Sequence, residues 1–233
     1  METNKLISVL AETAGPVRPL ARPWRRTVAW LMIAVLYTAL VVLVVSPRPD
    51  LATRLLEPRF AIEEVAALAT GISAAVAAFT TIIPGYDRRT LLLPIIPAFI
   101  WLGSLGEGCV EQWVRNNLSL QLDWFCFPAI VLIGAIPAIF MVAMLRRGAP
   151  LTPYLTATLG GLATAGLGNF GLRLFHAEDG SLMVLVWQMG TVLVLTALAG
   201  SAGPLLLDWQ LLIEGIRREV TIGLGISAAP SSY

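Results

Sequence analysis

Charged residues are scarce in this chain of 233 residues: Asp, Glu, Lys and Arg make up only 13% of it, whereas hydrophobic residues make up 57%. Soluble domains carry roughly 25% charged residues, so this composition argues against an ordinary soluble protein. No polar stretch is long enough to form a separate domain, because chains below about 40 residues rarely fold alone. We therefore expect the helices to pack as one membrane-embedded bundle.

The residues of common catalytic sites are also missing. The sequence has a single histidine, His176, and it contains no glycine-rich phosphate loop, no H-E-x-x-H motif and no G-x-S-x-G motif. A Ser–His–Asp arrangement would have to use that one histidine. The arginine pairs are too few and too dispersed for nucleic acid binding. We therefore predict that the protein is not an enzyme and that it has no direct nucleic acid partner.

Apolar runs of membrane-spanning length are what the chain does have. A transmembrane helix needs about 20 mostly apolar residues, because the hydrocarbon core of a bilayer is about 30 Å thick. Six stretches approach this length, so the predicted fold class is all-α, a polytopic membrane bundle of six transmembrane helices. The third stretch is the shortest and contains Pro94 and Pro97. The predicted spans are residues 27–46, 61–83, 91–106, 126–145, 154–174 and 183–207.

The distribution of Lys and Arg predicts how these spans are oriented. With the N-terminus in the cytoplasm, the cytoplasmic segments hold eleven Lys and Arg residues and the opposite side holds five. Cytoplasmic loops of membrane proteins carry such an excess. Both termini are then predicted to be cytoplasmic. The chain divides into a cytoplasmic segment of residues 1–26, a membrane domain of residues 27–207 and a cytoplasmic tail of residues 208–233.

Polar residues within the spans are interpreted as structural. Asn169 and Arg173 are one helical turn apart on the fifth span, and Gln188 on the sixth could bond to either. Glu63 and Glu64 begin the second span, where acidic residues complement the helix N-terminus. We expect Asn169, Arg173 and Gln188 to form a hydrogen-bonded cluster. The two glutamates are expected to interact with the helix dipole. A transport path would instead place ionisable groups near the bilayer centre, and a small transporter or permease-like protein is the alternative function.

The first 26 residues combine an amphipathic helix with a basic stalk. Leu6, Ile7 and Leu10 fall on one face of a predicted helix that starts at Thr3. Prolines at positions 16, 19 and 23 follow and favour an extended connector. Such a segment could lie on the lipid membrane with its arginines as an anchor, or it could place its apolar face in a groove on a cytoplasmic partner.

Motifs along most of the chain point to a known family. In order they are LISVLA, PVRPLARPWRRTVAWL, SPRPDLATRL, IEEVAALATGISAAVAAFTTIIPG, MLRRGAPLTPYLTATLGGLATAGLGNFGLRL, VWQMG and a closing LLDW. Their order and spacing, from about residue 6 to residue 209, resemble the NrsF-like six-helix anti-sigma factors of the proteobacterial inner membrane.

This resemblance implies that the cytoplasmic N-terminal segment sequesters an extracytoplasmic-function sigma factor. It also implies that the membrane domain senses stress and then releases the sigma factor. The protein would accordingly be a multi-pass protein of the bacterial inner membrane. On this reading, the residues that bind the partner are Leu6, Ile7, Leu10, Arg18, Arg22 and Arg25.

Members of this family carry cysteines on the outer side, before the fourth span and before the sixth. The first of these regions has Cys109 and Cys126 here, whereas His176 stands in the second. Where relatives read Trp-His in the sixth span, this chain has Gln188 after Trp187. These departures leave the anti-sigma role in place and make the nature of the signal an open question.

Two readings of the cysteines are open. Cys109 and Cys126 face the oxidising side in the predicted topology, so they could form a structural disulfide. Their spacing fits no zinc finger. Alternatively, both cysteines and His176, together with Glu107 or Glu111, bind a thiophilic metal ion or are oxidised. We expect no resident cofactor, and the second reading leaves a transiently bound metal ion open.

Overall fold

Every regular element in the described part of the chain is helical. In the computed structural model of the protein, the described residues are 20–114, 126–148, 150–176 and 184–207. A 3₁₀-helix at Arg88–Leu92 precedes α4, and a π-helical segment at Val184–Met189 leads directly into α7. The all-α prediction is confirmed. The α-helices are α1 (Pro23–Val45), α2 (Leu51–Leu55), α3 (Pro58–Thr81), α4 (Ile95–Val114), α5 (Cys126–Leu145), α6 (Pro153–Arg173) and α7 (Gly190–Leu207).

Among the described residues, five stretches of helix are long and apolar enough to cross a membrane. They overlap five of the predicted spans. The helix at the remaining predicted span, α6, has 21 residues but is not in this set. Its glycines and threonines, with Asn169 and Arg173, make it less apolar than the others. The five stretches are Pro23–Val45, Pro58–Thr81, Arg88–Glu111, Pro128–Leu145 and Gly190–Leu207.

The position of α6 in the bundle explains its composition. It packs against α1, α3, α5 and α7, and most of its residues are buried. A helix that is surrounded by other helices does not need the apolar surface that lipid demands. Small residues suit this position, because they let neighbouring helix backbones approach closely.

Glycine contacts confirm the close packing that the small residues of α6 predict. A Cβ atom added at Gly166 would lie 3.3 Å from the backbone nitrogen of Gly71 in α3. A Cβ atom added at Gly161 would lie 2.6 Å from the Cβ of Ala199 in α7. Larger side chains at these positions would push α6 away from its neighbours.

The start of α1 corrects the predicted boundary between stalk and membrane domain. We expected Pro23 to belong to an extended stalk and the first span to begin at residue 27. Instead Pro23 is the first residue of α1, so Arg25 and Arg26 lie in its first turn. Proline is favoured at this position because the first helical residue needs no amide hydrogen and the ring already holds a helical φ angle.

Candidate functional site: the two ends of the bundle

The two ends of the bundle differ in their polar contacts. We call the end at which α1 begins the proximal end and the opposite end the distal end. α3 begins at the distal end and α6 ends there, next to the loop that follows α1. The backbone nitrogen of Arg48 in this loop donates a hydrogen bond to the carbonyl oxygen of Leu174, at 3.1 Å.

A buried ion-pair cluster joins α3 to α6 at the distal end. Arg173 lies 2.6 Å from Glu63 and 3.0 Å from Glu64, measured between guanidinium nitrogen and carboxylate oxygen. All three residues are at most 4% exposed. Charged groups are costly to bury unless they are paired with good geometry. Arg173 therefore holds two carboxylates in place at the start of α3.

Phe60 extends this cluster towards the loop after α1. Its ring lies between two guanidinium groups, with the Arg173 carbon 4.6 Å and the Arg48 carbon 5.6 Å from the ring centre. Arg48 also binds both oxygens of Asp50, at 2.7 and 2.8 Å, and donates to the carbonyl oxygen of His176 at 3.4 Å. The Arg48 guanidinium holds the pKa of Asp50 well below its usual range.

Two of the predicted sensor residues lie at the edge of the same cluster. Arg59 donates to Glu63 at 3.1 Å and to Glu111 of α4 at 3.4 Å. Cys109 is partly buried, forms no disulfide within the described residues, and lies within electrostatic range of Arg59 and Glu63. The structure therefore brings Cys109 and Glu111 next to the buried ion pairs, through Arg59.

The other predicted sensor residues are Glu107, His176 and Cys126. Glu107 is exposed on α4, and His176 is partly buried just after α6. Cys126 is the first residue of α5, but its side chain lies outside the described part of the structure. Within the described residues, no group of three or more His, Cys, Asp or Glu side chains is arranged to hold a metal ion. A metal site would depend on Cys126, so it stays a prediction.

The ion-pair cluster corrects two interpretations made from the sequence. Arg173 binds Glu63 and Glu64 rather than Asn169. Because α3 begins at Pro58 and has no acidic residue in its first turn, the two glutamates are buried ion-pair partners and not helix-start residues. Asn169 is fully buried, and its amide atoms have no hydrogen-bond partner within the described residues. The side chain of Gln188 lies outside those residues. The sequence did contain one signal for this contact that was missed. In the predicted topology, the start of α3 and the end of α6 lie at the same depth in the membrane.

Arg26 makes a different kind of contact at the proximal end. Only 6% of it is exposed, and it donates a hydrogen bond to the carbonyl oxygen of Met144 in the last turn of α5. Its guanidinium carbon also lies 4.9 Å from the centre of the Phe79 ring. The last carbonyl groups of a helix have no partner within the helix, and a cation there is also favoured by the helix dipole. Arg26 therefore caps α5.

Arg146 plays the same part for the last helix. It donates from Nε to the carbonyl oxygen of Leu206, in the last turn of α7. Apart from Arg26, the arginines that the structure describes at this end are exposed. Near the start of α1, Arg25 lies over the ring of exposed Trp24, 5.5 Å from its centre, and Arg22 is exposed beside it. The proximal end is therefore basic at its surface.

Comparison with known proteins identifies the family. A family model described as "negative regulator of sigma F" matches residues 10–209 of the chain. The protein belongs to the NrsF family. No curated protein and no solved structure matches the chain. The resemblance seen in the sequence motifs is thereby confirmed.

Membership of the NrsF family identifies a sigma factor as the partner of this protein. The family match begins within the predicted N-terminal helix and ends just beyond α7. Of the six residues predicted to bind the partner, Arg22 and Arg25 are described and are accessible. Leu6, Ile7, Leu10 and Arg18 lie outside the described residues, so their role stays a prediction.

Proposed function

We propose that this NrsF-family protein is an anti-sigma factor of the bacterial inner membrane, with six spans and both termini in the cytoplasm. Its N-terminal segment, residues 1–26, sequesters an extracytoplasmic-function sigma factor and releases it on an envelope-side signal. We call residues 1–26 the arm. The observation that carries this proposal is the family match, which covers the arm from residue 10 onwards and the whole helix bundle.

The contrast between the two ends supports the assignment of sigma-factor binding to the proximal end. The arm enters the bundle there, next to exposed Arg22, Trp24 and Arg25. The excess of Lys and Arg on this side favours a cytoplasmic location, which is where a sigma factor acts. An amphipathic peptide that binds a groove needs a tether, and the stalk predicted before Pro23 would supply one.

The distal end is proposed to receive the signal, which is a metal ion or an oxidant. Cys109 and Glu111 contact or approach Arg59, which binds Glu63, which in turn binds Arg173. A change at the thiol would therefore disturb the ion pairs that join α3 to α6. Shifting a two-state protein from 1:99 to 99:1 takes about 5.5 kcal/mol. Metal coordination or a disulfide reaches this scale more readily than an exposed ion pair, which contributes about 0–1 kcal/mol.

Deletion of residues 2–14 tests the proposal in cells. We expect the deletion to raise expression from a promoter that depends on the cognate sigma factor to the level seen without the protein. A chain that lacks residues 221–233 is the control, and it should repress like the parent. If the arm deletion reaches the membrane in normal amount and still represses fully, the sequestration model is wrong. A transporter would keep its function without the arm.

A further inference from the structure

A crevice on the side of the bundle is unused by the proposed function. It lies between α5 and α7, with α6 as its floor. Two adjoining cavities of about 310 and about 100 Å³ form it, and they share the lining residues Ala138, Gly161, Thr164 and Ala199. The hydroxyl of Thr164 bonds to carbonyl oxygens of its own helix, at 3.0 and 3.2 Å. The wall of the crevice is therefore apolar.

The crevice opens towards the surface that the membrane would cover. Val131 of α5 and Leu198 of α7 line the larger cavity, and they are 38% and 58% exposed. An apolar crevice that opens to hydrocarbon is suited to a flexible hydrocarbon chain. The lining is rich in glycine and alanine, which leave room for a chain between the helices.

Positive charge lies at the proximal mouth of the crevice. Leu145 and Leu206 line the smaller cavity, and Arg146 and Arg147 follow Leu145 directly. The bond from Arg146 to the carbonyl oxygen of Leu206 holds this arginine across the mouth. Both arginines are exposed, and within the described residues neither pairs with a carboxylate. A guanidinium group carries five N–H donors, in a geometry that matches phosphate oxygens.

We propose that this crevice binds an anionic phospholipid, with an acyl chain between α5 and α7 and the headgroup phosphate on Arg146 and Arg147. Basic sites between transmembrane helices bind such headgroups. The charge at the mouth favours this occupant over a helix from a second copy of the chain, which would leave the arginines without a counter-charge. A net negative headgroup complements the arginine pair, whereas the amine of phosphatidylcholine cancels the charge of its phosphate.

The headgroup contact is tested by native mass spectrometry of the full chain. Detergent-purified protein is titrated with phosphatidylglycerol or with phosphatidylcholine, and the lipid adducts are counted. We expect phosphatidylglycerol to be retained selectively. The double substitution Arg146→Gln, Arg147→Gln should weaken this binding by about fivefold for each arginine. The matched control is Arg88→Gln, Arg89→Gln, which removes another exposed proximal pair and should leave the adduct unchanged.

The binding of the acyl chain is tested by filling the crevice with a larger side chain. Ala138→Phe should abolish the adduct, whereas Ala143→Phe, at an exposed position of the same helix, should not. Both arginines are exposed, and of the contacts described above Arg146→Gln removes only the bond to the Leu206 carbonyl oxygen, so these variants test the site even if Ala138→Phe fails to fold.

Three results would overturn the proposal. They are equal retention of the two lipids, equal losses in both arginine variants, and an unchanged adduct in folded Ala138→Phe. If folded Ala138→Phe keeps the adduct but converts dimers into monomers in the same spectra, the crevice is an interface between copies.

Discussion

Arginines at the two ends of the bundle bind different kinds of partner. At the distal end, Arg173 and Arg48 bind carboxylates that come from other helices or from the same loop. At the proximal end, Arg26 and Arg146 bind backbone carbonyl oxygens at the ends of α5 and α7. A carboxylate cancels the charge of its partner, whereas a carbonyl group leaves most of it in place. The proximal end therefore stays basic, and the distal end is tied together by ion pairs.

This difference suits a protein that receives a signal at one end and acts at the other. Removing one partner of a buried ion pair leaves a charge unpaired in a region of low dielectric constant, which is far more costly than losing an exposed pair. The distal cluster is accordingly sensitive to the loss of any one of its buried charges. The proximal surface can contact a partner or a membrane without disturbing the bundle.

The arm should show the largest effect of a single substitution. We expect Leu10→Asp to release the sigma factor constitutively, because placing an unpaired carboxylate in an apolar groove costs several kcal/mol. Leu6→Asp should act in the same way. Arg18→Gln is the comparison, and its effect should be within about 1 kcal/mol, since an exposed charge contributes little. The readout is basal expression from the sigma-dependent promoter. Full repression by the aspartate variants would rule out an apolar groove on the partner.

Arg173→Gln should be the most damaging change to the bundle itself. It removes the buried arginine that pairs with both Glu63 and Glu64, although Glu63 keeps Arg59, and breaking a buried pair typically costs about 3–5 kcal/mol. Arg26→Gln at the proximal end leaves no carboxylate unpaired and should cost about 1.5–3 kcal/mol, the value of a charged hydrogen bond. Thermal unfolding in detergent compares the two. Equal losses of stability would mean that the two ends do not differ energetically.

The cysteine substitutions should change induction while leaving basal repression as it is. We expect Cys109→Ser and Cys126→Ser to alter the response of the promoter to metal or oxidant, because Cys109 is within electrostatic range of Arg59 and Glu63 and both cysteines are far from the arm in sequence and in the predicted topology. His176→Ala should weaken metal induction alone. Dose–response curves of the reporter measure both effects. Normal induction in the double Cys→Ser chain would make the cysteines structural and would place the sensor elsewhere.

The positions of the helices could be predicted from the sequence, because apolar runs of membrane length are local features. The predicted span 126–145 coincides with α5 at both ends. The start of α1 could not be placed as well, since a proline signals either an extended stalk or the first residue of a helix. The sequence also identified Cys109 and Glu111 as residues of interest without indicating what surrounds them.

The ion pair between Arg173 and Glu63 lay beyond what sequence patterns can show. Its partners are 110 residues apart, on helices that meet only after the bundle forms. Each residue alone has an ordinary local explanation: a glutamate at a helix start and an arginine at a helix end. The tertiary packing of α3 against α6 decides that they meet and that water is excluded around them.

Affinity purification of the full chain from detergent-solubilised membranes, beside a chain that lacks residues 2–14, tests the central claim most directly. The sigma-factor content of each sample is measured by mass spectrometry. Our account predicts that an extracytoplasmic-function sigma factor co-purifies with the full chain and is lost with the deleted residues. The same amount of sigma factor with both chains, or none with the full chain, would contradict it.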